Sequence, residues 1–144
     1  MPQSQSEKSP NQMLSSSKFI LIGEDDIDDQ EFLKETFGVV DDSFNVEFSN
    51  NGNNMINDLQ KLEDNLLPCL IVMDYNMPGL NGAEILEHLK RDKRYFHIPK
   101  VIWSTSNSEM YRNICLELGA NDYLIKPSNV REMVDTVKYM LSFC

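Results

Sequence analysis

Leu70-Ile71-Val72-Met73 is an apolar run that ends abruptly in a carboxylate, Asp74, after which Tyr75-Asn76-Met77-Pro78-Gly79 turns the chain away. The same punctuation recurs along the chain. Lys18-Phe19-Ile20-Leu21-Ile22-Gly23 runs into Glu24-Asp25, Lys100-Val101-Ile102-Trp103 into Ser104-Thr105-Ser106, and Asp122-Tyr123-Leu124-Ile125 into Lys126-Pro127. A short apolar run bounded by turn residues reads as a strand buried on both faces. In a parallel sheet these polar residues all emerge at one edge, where open α/β sheets bind ligands. Three carboxylates converging there repel one another, and proximity alone raises at least one pKa. A hard divalent cation removes the conflict. Mg²⁺ takes about six oxygen ligands, commonly one or two carboxylates plus phosphate oxygens. With Lys126 and the Thr105 hydroxyl, the set suits phosphoryl chemistry. The metal and Lys126 neutralise oxygen charge, Thr105 donates a hydrogen bond to a phosphoryl oxygen, and a carboxylate attacks phosphorus.

The elements that must position these groups follow from periodicity. Phe32, Leu33 and Phe37 share a helical face after Asp28. Residues 44–48 alternate apolar and polar as a short second strand, and Asn50 to Asn54 contains an Asn-Gly turn. Met55, Leu59 and Leu62 mark a second helix, and Ala83, Ile85, Leu86 and Leu89 a third. Arg91 to Ile98 reads as a polar connection. Met110, Ile114, Cys115 and Leu118 mark a fourth helix with Gly119 as its C-terminal cap. Ser128 or Asn129 can cap a last helix through Met133, Val137 and Leu141. Five strands alternating with five helices predict an α/β fold, a single doubly wound parallel sheet covered on both faces. Met1 to Ser17 is rich in Ser, Gln, Asn and Pro, and is expected to be a disordered leader to a domain spanning 18–144.

Bulk composition excludes several function classes. The 144 residues suit one domain, and the net charge of -10 opposes both nucleic acid and anionic lipid. No stretch approaches the ~20 apolar residues of a membrane span, and no signal-peptide core is present. Cys69, Cys115 and Cys144 are scattered and odd in number, so reduced thiols in a cytoplasmic protein are expected rather than a disulfide framework or a zinc site. Cys69 and Trp103 read as core residues, and His88 and His97 as surface or loop histidines.

Taken in order, these stretches resemble the receiver domains of two-component response regulators. The resemblance covers roughly Phe19 to Phe143 and rests on Ile20 to Asp25, Val72 to Gly79 with Asn81-Gly82, Val101 to Ser106, and Gly119 to Pro127. It implies a flavodoxin-like, CheY-like sheet of strand order 2-1-3-4-5. It makes Asp74 the residue phosphorylated by a sensor histidine kinase, and Glu24, Asp25, Asp74 and the Asn76 main-chain carbonyl the Mg²⁺ ligands or their water partners. Thr105 and Lys126 then contact the phosphoryl group, and the Lys126-Pro127 bond is expected to be cis. The resemblance also implies a stand-alone switch that dephosphorylates itself and acts through a downstream protein or a second copy of the chain. The stretch from Arg91 to Ile98 with Ser104-Thr105-Ser106 looks most like regulators grouped with bacterial phytochromes.

Six of the eight residues from Glu24 to Glu31 are acidic, and Asp26, Asp28 and Asp29 read as helix-start acids rather than metal ligands. Tyr123 is either core packing or, by resemblance, an aromatic switch coupled to Thr105. The resemblance places Asn76 and Asn107 beside the line of attack of water, which implies a moderate lifetime for the phosphorylated state. The output face is expected on the fourth helix, fifth strand and fifth helix, bearing Met110, Tyr111, Tyr123, Met133 and Tyr139. A Mg²⁺-dependent aspartyl-phosphate phosphohydrolase is a rival, but it wants a second acid where Asn76 stands. A flavodoxin-type FMN carrier wants a phosphate loop where Glu24 and Asp25 stand. A receiver used only as a scaffold is the third alternative.

Overall fold

The computed structural model describes residues 18–144; the leader expected over 1–17 lies outside the described residues. The order of elements is β1 (Lys18–Gly23), α1 (Ile27–Val40), β2 (Phe44–Ser49), α2 (Gly52–Lys61), β3 (Leu70–Asp74), α3 (Gly82–Lys90), β4 (Lys100–Ser104), α4 (Glu109–Glu117), β5 (Asp122–Ile125) and α5 (Val130–Leu141). Short 3₁₀ turns span Asp64–Leu66 and Lys93–Tyr95. The five strands form one sheet in the order β2-β1-β3-β4-β5, every pair parallel. This is the 2-1-3-4-5 order implied by the resemblance.

Strand periodicity divides the core. Ile20, Ile22, Leu70, Val72, Val101 and Trp103 face α1 and α5, packing on Leu33, Phe37, Met133, Val137 and Met140. Leu21, Ile71, Met73 and Ile102 face the other layer, packing on Met55, Leu59, Ile85, Leu86 and Cys115. Because the central strands carry apolar side chains on both faces, β3 and β4 are buried along their whole length. Polar caps set where the helices begin. Asn51, Asn129 and Ser108 accept from backbone N–H groups of the first turns of α2, α5 and α4 at 2.8, 2.9 and 3.2 Å. Asn81 and Glu84 form a reciprocal capping box on α3, both bonds 2.9 Å. Gly119, at φ +104°, ends α4 as its left-handed cap.

Three features differ from the sequence-based expectation. Cys69 and Cys144 are joined in a disulfide, with Cα atoms 5.4 Å apart, and only Cys115 is a free thiol. The pairing arises because α5 runs back antiparallel to the strands and ends near the start of β3, a contact between residues 75 apart that spacing does not reveal. Cys69 is therefore a half-buried crosslink rather than a core thiol. The Lys126-Pro127 peptide bond is trans, not cis. The connection from Arg91 to Ile98 is not simply polar: Tyr95 and Ile98 insert into the core, and the Arg94 guanidinium binds the Asp64 carboxylate at 2.7 Å and the Leu62 carbonyl.

Candidate functional site

Glu24 follows β1, Asp74 ends β3 and Lys126 follows β5, so all three lie at the carboxyl edge of the sheet. Sheet register aligns them. Gly23 pairs with Met73, Asp74 with Trp103, and Ser104 with Ile125, the residue before Lys126. The Lys126 amide also donates to the Ser104 carbonyl at 2.8 Å, which ties the lysine to the end of β4.

The Lys126 ammonium is the hub of the site. It lies 2.8 Å from Asp74 Oδ2, 2.9 Å from Glu24 Oε1 and 2.9 Å from Asp29 Oδ2. Its Nζ also stands 4.9 Å from the centroid of the Trp103 ring. Burial pulls the lysine's pKa down, but hydrogen bonds to Asp74 and Asp29 and the ion pair with Glu24 outweigh it and hold the ammonium above the ordinary lysine range. Glu24 is fully buried. Burial pushes its carboxyl up to about 7, against the opposing pull of the Asp26 amide and the Lys126 ammonium. Its Oε2 accepts from the Asp26 amide at 3.0 Å. Asp74 Oδ1 accepts from the Asn76 amide at 3.0 Å, so the backbone after β3 orients this carboxylate.

Glu24, Asp25 and Asp74 bring carboxylate oxygens within 4.8 Å of one another. Asp25 is exposed while the other two are buried, so the cluster has one open side. A divalent cation fits this donor set. The oxygens are hard ligands of concentrated negative charge, and buried Glu24 Oε1 makes no hydrogen bond among the described residues, only the ion pair with Lys126. Asn76 is exposed at the edge of the cluster.

The structure thus brings together Glu24, Asp25, Asp74 and Lys126. Thr105 is not among them. It is exposed one residue beyond β4, and its hydroxyl has no hydrogen-bond partner among the described residues. Ser104, fully buried, is the hydroxyl at the strand end, and its Oγ accepts from the Ser106 amide at 3.0 Å. Tyr123 is buried and donates its hydroxyl to the Ser106 carbonyl at 2.8 Å. Ser104 shares the strand face of Ile102, whose register partner is Tyr123, so Ser104 is the hydroxyl on the tyrosine's side of the sheet. Sequence reasoning also passed over Asp29. A helix-start acid gives no sign that it reaches a lysine 97 residues away.

The model of the response regulator receiver domain matches residues 20–138. The chain belongs to this family. The receiver is 35% identical over 125 residues to a transcriptional regulatory protein, the CpxR homolog of Haemophilus influenzae, covering 87% of this chain and 50% of that protein. The chain therefore spans about half the length of that curated relative. Among solved structures, the receiver is 27% identical to a phosphorylated cyanobacterial phytochrome response regulator, RcpA, with a TM-score of 0.78 over 89% of this chain and 96% of that one. It is 28% identical to the Mn²⁺-bound response regulator Rcp1, with a TM-score of 0.76 over 88% of this chain and 93% of that one. The receiver is a signalling switch of the two-component class, and its structural neighbours include phytochrome-associated regulators.

Proposed function

We propose that Asp74 accepts a phosphoryl group from the phosphohistidine of a sensor kinase. The observation that carries this reading is the position of its carboxylate. It lies at the end of a fully buried strand, 2.8 Å from an ammonium and within 4.8 Å of Glu24 and Asp25. An Asp74 oxygen attacks phosphorus, an acyl-phosphate bond forms, and the P–N bond to the donor imidazole breaks with its electron pair going to nitrogen. Lys126 sits where it can pair with a phosphoryl oxygen as negative charge gathers there. Glu24, Asp25, Asp74 and the Asn76 main-chain carbonyl hold Mg²⁺, which when bound offsets the negative charge of the carboxylates and the incoming phosphoryl group. Water later hydrolyses the acyl phosphate, returning the switch to rest, with Asn76 and Asn107 flanking its approach. Both are exposed amides rather than acids, in keeping with a moderate lifetime.

A phosphoryl group brings roughly two negative charges and three acceptor oxygens. The hydroxyl that turns toward it is assigned to Ser104, the buried one, in preference to Thr105. Movement at Ser104 reaches Tyr123, which already holds the Ser106 carbonyl at the start of the β4–α4 loop. Output then leaves through α4, β5 and α5. Met110 and Tyr139 are exposed there and Tyr111 is half-buried, whereas Met133 is core. Arg112 links the face by donating to the Tyr123 carbonyl at 3.0 Å and pairing with Asp122 at 3.6 Å. The partner on this face is a downstream protein or a second copy of the chain, and the working compartment is the cytoplasm, where kinases draw on nucleotide triphosphate.

Incubation with acetyl phosphate and Mg²⁺, followed by mass spectrometry, tests the acceptor. A phosphoryl mass gain on a peptide containing Asp74, lost in Asp74→Asn, is the expected result; an adduct elsewhere, or one surviving the substitution, overturns it. Ser104→Ala and Thr105→Ala divide the hydroxyl role: only the former is expected to uncouple phosphorylation from amide-exchange changes around Tyr123.

A further inference from the structure

We propose that Asp29 is a positioning residue that competes with the phosphoryl group for Lys126 and so weakens the hold on the phosphorylated state. This inference rests on Asp74 being the acceptor. An ammonium has three N–H donors. In this structure three carboxylates, Asp74, Glu24 and Asp29, occupy its surroundings at 2.8 to 2.9 Å. Two of the three belong to the cluster suited to a cation, and Asp29 does not.

The three contacts change differently on phosphorylation. The Asp74 contact passes to the oxygens of its own phosphoryl group. Glu24 belongs to the cation cluster. Asp29 lies outside that cluster, has no charged partner but Lys126 among the described residues, and stays on the lysine. It is also well fixed. Its amide donates to the N-cap Asp26 at 3.1 Å, and its place in the first turn of α1 suits the helix macrodipole. The Lys126 side chain is only 12% exposed, so its choice of partner is made largely out of water, while Asp29 is 33% exposed and tolerates loss of its charge. Asp29 therefore keeps a fraction of the lysine's charge, and it leaves a carboxylate on the same ammonium that a phosphoryl dianion has to use. Both effects act against the phosphorylated state.

The test is beryllofluoride binding in saturating Mg²⁺, followed by the emission of Trp103, the single tryptophan of the chain, whose ring lies 4.9 Å from the lysine Nζ. Asp29→Asn keeps the shape and removes the charge, and is expected to tighten beryllofluoride about three- to tenfold, as for a half-exposed charged pair. Asp29→Glu, which keeps the charge, is expected to bind as wild type does. Asp28→Asn removes an exposed charge from the same helical turn without touching Lys126, and is expected to change affinity less than twofold, roughly the scale of a screened surface charge. Loss of a merely structural contact does not tighten a ligand, so unchanged or weaker binding by Asp29→Asn overturns the proposal. An equal gain in Asp28→Asn overturns it too, by assigning the effect to bulk charge. If wild type gains phosphoryl mass on Asp74 yet Asp29→Asn shows no gain in affinity, the role of Asp29 alone fails. If wild type neither takes up phosphoryl nor binds beryllofluoride, the acceptor reading fails with it.

Discussion

A buried lysine, Lys100, and a half-buried one, Lys126, stand at opposite edges of the sheet, and their surroundings differ. Lys126 follows β5 at the carboxyl edge and meets three carboxylates, which hold its charge firmly. Lys100 begins β4 at the amino edge, and its ammonium meets the Tyr95 carbonyl. Burial lowers its pKa, with no carboxylate to oppose the shift. The rest of the amino edge is bound by the same kind of local tie. The Lys100 amide donates to Asn121 at 2.9 Å, Arg94 closes on Asp64, and Cys69 is crosslinked to Cys144. One edge is satisfied as it stands. The other crowds acids that a single cation only partly balances, and such an imbalance is what a phosphoryl group and a divalent ion can exploit.

The largest expected effect is chemical and confined to the carboxyl edge. Asp74→Asn abolishes phosphoryl uptake, while substitutions at Lys100 leave it intact; uptake lost equally from both edges would erase the contrast. Next is the crosslink. Reduction, or Cys144→Ser, is expected to lower the unfolding free energy by about 4 kcal/mol in denaturant titrations, as for a crosslink closing a long loop. Phosphoryl uptake is expected to survive, because Cys69 and Asp74 stand at opposite ends of β3. Cys115 does not complicate the experiment: it is buried, its thiol is pushed up to about 11, and it is inert to exchange near neutral pH. Uptake that falls on reduction would show that the two edges are coupled.

The lysines themselves sharpen the comparison. Lys126→Met leaves Glu24, Asp29 and Asp74 facing one another without a cation, and is expected to cost about 2 kcal/mol in metal-free buffer. Lys100→Met exchanges a desolvated ammonium and one hydrogen bond for an apolar chain of similar length, and is expected to stay within about 1 kcal/mol of wild type. Denaturant midpoints decide this, and the reverse order would mean that Lys100 is the more important cation for the fold.

What was legible in the sequence follows the same division. Strands buried on both faces must be apolar along their length, so β1, β3 and β4 declare themselves, and the polar residue at which each run stops marks the sheet edge. The last helix start was legible to within Ser128 or Asn129, and Asn129 is the cap. What spacing does not carry is contact across the fold. Asp29 reads as a helix-start acid because its sequence neighbours are acids, and only the α1–β5 juxtaposition brings it to Lys126. Ser104 and Thr105 are adjacent hydroxyls, and which one is buried depends on where β4 ends. Met133 shares a periodic face with Val137 and is also expected on the output face, and α5 turns it onto Trp103's side of the core. The Cys69–Cys144 bridge depends on where α5 finishes.

The last expected effect is the pH dependence of the carboxyl edge, and its sign follows from Glu24. Burial raises this carboxyl from the ordinary 4.5 to about 7 in the folded chain. Between those values the folded chain keeps a proton that the unfolded chain has released, so stability declines as pH rises through this window. The decline belongs to Glu24, so the difference between wild type and Glu24→Gln isolates it from the histidines and the exposed acids. A cation binds the deprotonated carboxylate and opposes the decline. Mg²⁺ at about five times its Kd adds about 1 kcal/mol, and this gain is expected to be larger at pH 8 than at pH 5. Lys126 does not titrate in this range because its carboxylate partners hold it above the ordinary lysine value. Thermal melts across pH, with and without Mg²⁺, read both slopes. A metal-free stability that rises through the window relative to Glu24→Gln would show that the Lys126 pair outweighs burial at Glu24. A Mg²⁺ gain larger at the acidic end would remove Glu24 from the cation's ligand set.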